Sequence, residues 1–227
     1  MVVRLLRSIG LGDAGYVPMT QQLGRLWRLI LLNVTIALIG VASVLVLSAR
    51  SHKPLSYMTR DPAAITGAEF YLGFLSNIGI MLWAATAAVC LFAAMMLRRW
   101  RAQRQALFLF ASGLLSLVLA LDDAFMLHED VFPYRLHIPQ LAVYAGYAIL
   151  VSCYMAYFAR DILRTDCLLL AIALSLLALS MGMDAFLPFG DLETMVEDGV
   201  KFAGIVFWTS YYVHAASGMV QRGVAGT

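Results

Sequence analysis

Residues 106–127 read ALFLFASGLLSLVLALDDAFML, a stretch that is almost wholly apolar until two aspartates interrupt it near its end. A helix needs about 20 apolar residues to cross the hydrocarbon core of a bilayer, and this stretch is long enough. Membrane β-strands alternate apolar and polar residues, whereas the apolar run here is continuous. The stretch therefore predicts a membrane-spanning helix with two carboxylates inside its apolar length.

The composition of the whole chain agrees with a membrane environment. Of its 227 residues, 62% are hydrophobic and 13% are charged, whereas roughly 25% are charged in an average soluble domain. A net charge of +2 argues against the strongly basic surface of a nucleic-acid-binding protein, and no nucleotide or haem motif is present. Cys90, Cys153 and Cys167 lie in or beside apolar runs without CxxC spacing and predict packing residues, not disulfides.

Six apolar runs are each long enough to span a bilayer. In chain order they are Leu29–Leu47, Phe70–Leu97, Ala106–Leu127, Ile138–Ala159, Cys167–Leu187 and Met195–Met219. The sequence thus predicts an all-α, polytopic integral membrane protein with a six-transmembrane-helix bundle over residues 29–219. Residues 1–28 are predicted to be a cytoplasmic segment whose part Val2–Leu11 lies on the membrane as an amphipathic helix. Residues 220–227 are predicted to be a cytoplasmic tail.

Basic residues fall mainly on one of the two sides that six spans define. Cytoplasmic loops favour Lys and Arg, so this side is predicted to be cytoplasmic, with both termini inside (N-in/C-in). An arginine-rich chain with short loops also indicates a bacterial inner (plasma) membrane. The basic residues on this side are Arg4, Arg7, Arg25, Arg28, Arg98, Arg99, Arg101, Arg104, Arg160, Arg164 and Arg222.

Carboxylates follow the opposite distribution, because only Asp13, Asp161 and Asp166 fall on the predicted cytoplasmic side. The third and fifth runs point outward and the sixth points inward, so their acidic ends meet at the exoplasmic level. An ionised side chain at the bilayer centre costs at least ~2.5 kcal/mol, which favours one shared site. Its predicted members are Asp122, Asp123, His128, Glu129, Asp184, Glu197, Asp198 and Lys201.

Helix geometry makes this site more specific. On a continuous helix, Asp122 and Glu129 lie within about 20° of each other. Glu197 and Lys201 form an i,i+4 pair in the favourable orientation. Gly204 shares the face of that pair and allows a neighbouring helix to approach closely.

A polar track and an aromatic stripe accompany the acidic site. Ser112 and Ser116 lie one turn apart below the aspartates, and His214 lies near the cytoplasmic end of the sixth run. The three are candidate relay groups for a proton path, although His214 fits better as a packed residue of an interfacial aromatic belt. A stripe of Tyr144, Tyr147 and Tyr154 on the fourth run predicts helix packing or the lining for a lipid or quinone tail.

Several carboxylates close together raise each other's pKa, so protons, basic side chains or a bound cation must balance them. Asp, Glu and His suit zinc, iron or manganese, and carboxylates alone suit calcium or magnesium. We therefore expect a divalent metal ion as a cofactor, held by members of the same site. The spacing matches neither HExxH nor the Glu-x-x-His pair of di-iron bundles.

Residues 67–77 read GAEFYLGFLSN. This segment resembles the Ala-Glu-Phe…Ser-Asn stretch of alkaline ceramidases, in the CREST group of membrane hydrolases. The resemblance implies a lipid hydrolase whose zinc is held by three histidines, with Ser and Asp nearby. It covers only this segment, the gap before Ser76 is one residue longer, and the family has seven spans. Gly218 also replaces the second histidine of a terminal His-x-x-x-His that would start at His214.

Three classes of function fit these features. The first is cation or proton translocation through an acidic exoplasmic vestibule. The second is a metal-dependent membrane enzyme, either a lipid hydrolase or an oxidoreductase. The third is a noncatalytic subunit whose buried charges bind partner helices in a homo-oligomer or a larger membrane complex. The expected partners are membrane lipids and a cation or proton, with no nucleic acid.

Overall fold

The computed structural model describes residues 19–60, 62–69, 71–186 and 190–225, and these ranges contain helices and no strand. A π-helical segment, Leu127–Arg135, lies between the fifth and sixth α-helices. The α-helices are α1 (Met19–Ser51), α2 (Ser56–Thr59), α3 (Pro62–Thr66), α4 (Phe74–Arg99), α5 (Gln103–Phe125), α6 (Gln140–Ile162), α7 (Leu168–Phe186) and α8 (Asp191–Ala225).

Five of these helices are long and apolar enough to cross a membrane, which confirms the predicted class of protein. They are α4, α5, α6, α7 and the Leu26–Ser51 part of α1. The sixth predicted run lies within α8, which is helical throughout. Its mean hydropathy is lower because residues such as Trp208, Tyr211, Tyr212 and His214 interrupt the aliphatic run. A sixth crossing therefore stays a prediction.

Some predictions fall outside the described residues. They include the interfacial helix Val2–Leu11, the start of the second run at Phe70 and the end of the fifth run at Leu187. The three cysteines are free thiols, as their spacing predicted.

The chain divides into two units, Met1–Leu72 and Gly73–Thr227. The described part of the first unit consists of α1, α2 and α3. The side chains of α1 whose burial is described are exposed or half-exposed, and the large exposed ones are mainly leucine, isoleucine and valine. Such a surface suits a helix surrounded by hydrocarbon.

The second unit has its core where α4 packs against α5 and α8. Trp208, Tyr211, Tyr212 and Phe108 are fully buried there. Small residues on the same helices leave room for these large rings, and they include Ala87, Ala93, Ala94, Gly113, Ala215 and Ala216.

Buried hydroxyl groups in this core have hydrogen-bond partners. The hydroxyl oxygen of Tyr154 lies 2.9 Å from that of Tyr212 and 2.7 Å from that of Ser112. Thr86 donates to the Leu82 carbonyl. Since a buried polar group without a partner is costly, these pairs offset the cost of burying hydroxyl groups in the core.

The close approach predicted at Gly204 is present between α8 and α7. A Cβ atom at Gly204 would lie 2.8 Å from Leu177 Cγ and 3.2 Å from the Leu177 backbone nitrogen. No room therefore exists for even a methyl group unless one of the helices shifts.

We expect Gly204→Ala to lower the free energy of unfolding by about 1–3 kcal/mol, because overpacking displaces α7. Gly199→Ala is the matched control on the same helix, since a Cβ there meets nothing within 4 Å. Its better helix propensity should stabilise by roughly 0.5–1 kcal/mol. Thermal unfolding in detergent measures both variants, and equal midpoints for the two would contradict this packing.

Candidate functional site

The candidate site begins where α5 ends, at Asp122 in its last turn. The helix stops at Phe125 because Met126 adopts a left-handed conformation (φ 49°), and the Met126 N–H donates to the Asp122 carbonyl. The His128 N–H then donates to Asp122 Oδ1 at 3.1 Å. The predicted continuous helix with Asp122 and Glu129 on one face is therefore wrong, because the Asp122 side chain binds a backbone group and supports the turn.

His128 lies between two carboxylates. Its Nδ1 is 2.5 Å from Asp122 Oδ2, and its Nε2 is 3.3 Å from Glu129 Oε1. Burial lowers the pKa of His128, but hydrogen bonds to Asp122 and Glu129 more than offset this and raise it to about 9. The hydrogen bond from His128 lowers the pKa of Glu129 in turn. His128 is therefore an imidazolium cation that joins the two acids at neutral pH.

Asp123 binds two donors from other helices. Trp83 Nε1 of α4 donates to Asp123 Oδ2 at 3.0 Å, and Lys201 Nζ of α8 lies 2.8 Å from Asp123 Oδ1. The predicted pairing of Lys201 with Glu197 is thus replaced by pairing with Asp123. The Asp123 side chain is only 9% exposed and Glu197 is half-buried, so the desolvated carboxylate has the greater need of a counter-ion.

Neutral side chains of α6 donate further hydrogen bonds to two of the carboxylates. Tyr147 of α6 donates to Asp122 Oδ1 at 2.6 Å. On α7, Asp184 accepts hydrogen bonds from Gln140 Nε2 at 2.8 Å and from the Tyr144 hydroxyl. These contacts join α6 to the ends of α5 and α7.

Glu197 and Asp198 of α8 have neither a hydrogen bond nor an ion pair through their side chains in the described part of the chain. The neighbourhood therefore contains far more acidic groups than basic ones. The carboxyl groups are those of Asp122, Asp123, Glu129, Asp184, Glu197 and Asp198, and the basic groups are His128 and Lys201.

A cavity of about 410 Å³ opens beside these groups. One end is polar and includes Asp122, Asp123, His128, Asp184, Glu197 and Lys201. The rest is mostly apolar and extends between α6 and α7, with walls that include Leu119, Val151, Met155, Leu174, Leu177 and Met181. Trp83, Tyr144, Tyr147 and Trp208 also line it.

Asp122, Asp123 and His128 are arranged so that they could hold a metal ion, since one ligand atom from each lies within 4.8 Å of the others. Among the other predicted ligands, Asp184 and Glu197 line the same cavity. Asp198 borders a small adjoining pocket together with Asp123 and Lys201. Neighbouring carboxylates and an imidazole have the chemistry of a site for a divalent cation.

The predicted relay groups lie away from the polar end of the cavity. Ser116 accepts a hydrogen bond from Trp208 Nε1 at 3.0 Å and donates to the Ser112 carbonyl. His214 lies in an exposed pair with Asp166, at 2.7 Å. These contacts make no continuous chain of hydroxyl and imidazole groups, and the relay stays a prediction.

Sequence reasoning did not assign Trp83, Gln140, Tyr144 or Tyr147 to the acidic site. Tyr144 and Tyr147 were visible as an aromatic stripe at the start of the fourth run. Their predicted depth in the membrane was a usable signal. The fourth run is predicted to point inward, so its start lies at the same level as the acidic ends of the third, fifth and sixth runs. Buried tyrosine hydroxyls require partners, and carboxylates at that level can accept their hydrogen bonds.

The raised pKa of His128 predicts a specific dependence of stability on pH. Protonated His128 makes its full contribution to the free energy of unfolding below pH ~6.5, the pKa of an unfolded histidine. This contribution is lost as the pH rises through about 9. The charged groups that act on it are Asp122, Glu129 and Lys201. We expect the difference in melting temperature between wild type and His128→Gln to shrink over this range. His214→Gln is the control, since an exposed pair contributes little, and a difference that stays constant with pH would contradict the assignment.

Comparison with known proteins identifies the family to which the chain belongs. No curated protein and no solved structure matches the chain significantly. The family described as "Domain of unknown function (DUF8692)" matches residues 31–215, a range that includes every residue lining the cavity and well over half of the chain. The chain therefore belongs to the DUF8692 family.

Proposed function

We propose that the protein binds a cation in its acidic cavity and moves that cation, or a proton, across a membrane. The supporting observation is the excess of carboxyl groups over basic groups around the cavity. Like charges in a confined, partly desolvated space cannot all ionise without compensation. A cation that enters the cavity supplies the missing positive charge.

The carboxylates differ in how available they are to such a cation. Asp122 already has His128 as its counter-ion, and Asp123 has Lys201. Asp184 has only the neutral donors Tyr144 and Gln140. The incoming cation therefore binds first at Asp184 and at Glu197, which line the cavity together.

Lys201 allows a bound cation and an ammonium group to replace each other at Asp123. A cation that moves on to Asp123 competes with the Lys201 ammonium group, which lies 2.8 Å from that carboxylate. Glu197 is one helical turn away on α8 and can accept the displaced ammonium group. Lys201 thus acts as an internal counter-ion that returns to Asp123 when the cation leaves.

The proposal includes six crossings, both termini in the cytoplasm and a bacterial plasma membrane. Helix α8 has 35 residues and is about 50 Å long, which exceeds the bilayer core. With α8 as the last crossing, the acidic end of the cavity faces the exoplasmic side. The arginines between α4 and α5 then lie in the cytoplasm, as the distribution of basic residues favours.

A metal-dependent membrane enzyme, a lipid hydrolase or an oxidoreductase, is the second candidate. The grouping of ligand atoms from Asp122, Asp123 and His128 within 4.8 Å favours it. These residues would hold the metal, and the metal would supply Lewis acidity or activate water. Both ring nitrogens of His128 already lie against carboxylates, so the ring would have to release its proton before it could bind metal.

A labelling experiment tests the sixth crossing. In a background with Cys90, Cys153 and Cys167 replaced by alanine, Glu193→Cys should react with an impermeant maleimide added to intact cells. Gln221→Cys should react only after permeabilisation, because an α8 that crosses the membrane would put these exposed residues on opposite sides. Equal reaction of the two in intact cells would exclude a crossing by α8.

Flux in proteoliposomes tests translocation directly. Under an ion gradient, proteoliposomes with wild-type protein should show ion flux through a pH-sensitive or calcium-sensitive dye. Asp184→Asn should lower the rate of this flux by about tenfold or more, the usual effect of losing a charged partner. Glu193→Gln removes an exposed carboxylate of α8 and is the matched control.

Elemental analysis of the same preparations separates the two candidates. Stoichiometric metal in wild type that is lost in Asp123→Asn, without any ion flux, would favour the enzyme and overturn translocation. Absence of both flux and cation binding would overturn the cation site itself.

A further inference from the structure

The cavity is much larger than an inorganic cation requires. Its volume of about 410 Å³ compares with roughly 30 Å³ for a water molecule and falls in the ~300–1,000 Å³ range of pockets for organic ligands. The carboxylates occupy only one end. The remaining length is lined by aliphatic side chains such as Val151, Met155 and Leu174, which have no role in binding a bare ion.

The apolar length of the cavity is open between α6 and α7. Hydrogen bonds from Gln140 and Tyr144 to Asp184 join these helices at the polar end. Their backbones otherwise lie apart, since close backbone packing in the described unit joins α4 to α5 and α8, and α7 to α8. Both α6 and α7 are apolar enough to span a membrane, so the opening between them faces lipid chains.

Small residues border this opening. Ala148 and Ser152 on α6 and Ala178 on α7 line the cavity and are also exposed at the surface. Their neighbours Ile149 and Leu179 are exposed as well but do not line the cavity. A molecule dissolved in the bilayer can therefore reach the cavity sideways, past three small side chains.

The chemistry of the polar end selects the head group of such a molecule. Carboxylates exceed basic groups there, so a phosphate or carboxylate head group would be repelled. Trp83, Tyr144 and Tyr147 line the cavity beside the acids, and aromatic faces attract ammonium groups through cation–π interactions. An ammonium group satisfies the acids and the aromatic rings together.

We infer that the cavity binds a membrane-dissolved amphiphilic amine. Its ammonium group binds at Asp184 and Glu197, and its hydrocarbon body lies between α6 and α7. The amine enters from the bilayer through the opening at Ala148, Ser152 and Ala178. This inference rests on the proposed cation site and names the class of cation that the site takes.

The head-group requirement is tested with the protein in phosphatidylcholine nanodiscs, with empty discs subtracted. Radiolabelled dodecylamine should bind at least about tenfold more tightly than dodecanol, the loss expected without a charge-assisted contact. The double variant Asp184→Asn/Glu197→Gln should weaken binding of dodecylamine by about tenfold or more and leave dodecanol unchanged. Glu193→Gln should match wild type.

The lateral opening is tested with bulky substitutions on α7. Ala178→Trp places a large ring at the opening and should lower binding of dodecylamine by at least about tenfold. Leu179→Trp adds the same ring to the adjacent lipid-facing position and should have no effect. Thermal unfolding of each variant confirms that it is folded, and equal binding by the two variants would overturn entry between α6 and α7.

The outcomes distinguish this inference from the proposed function. Suppose that methylammonium or calcium binds and that this binding depends on Asp184, but that dodecylamine does not bind. The inference of an amphiphilic ligand is then overturned, and the cation site stands. If dodecylamine and dodecanol bind equally, selection by the ammonium group is overturned. If neither dodecylamine nor a small cation binds, both proposals fail.

Discussion

Desolvation of two adjacent carboxylates, Asp122 and Asp123, is the constraint on which the second unit depends. Their side chains are 6% and 9% exposed, so each needs donors from its surroundings. Asp123 takes its donors from Trp83 of α4 and Lys201 of α8, whereas Asp122 takes its donors from the π-helical segment and α6. Two consecutive residues thus connect α5 to four other elements.

The cavity follows from the way these requirements are met. Close packing of small residues brings α4, α5 and α8 together, and aromatic rings fill the space between them. Helix α6 contributes hydroxyl and amide groups to Asp122 and Asp184 without packing its backbone closely on α7. A space with acids at one end and aliphatic walls therefore remains between α6 and α7.

The membrane class and the meeting of the acidic segments could be predicted from sequence, because long apolar runs and alternating directions determine both. The end of α5 could not, since it depends on the left-handed conformation of Met126 and on competition by the Asp122 side chain. The partner of Lys201 could not be predicted from the sequence either. Glu197 and Asp123 are both carboxylates in the sequence, and the greater burial of Asp123, which favours it as the partner, becomes visible only in the fold.

If the protein moves a cation, as we propose, that cation also needs a way out of the site, and the contacts of α6 indicate that this helix would move. Below the cavity, the Ser112 and Ser116 hydroxyls donate to backbone carbonyls. Helix α6 is connected to α5 and α7 at the polar end by hydrogen bonds that end on Asp122 and Asp184. A cation at Asp184, as proposed above, would compete with Gln140 and Tyr144 for that carboxylate. It would loosen α6 from α7 while α4, α5 and α8 stay packed. Binding at the site and displacement of α6 would then be linked through Asp184.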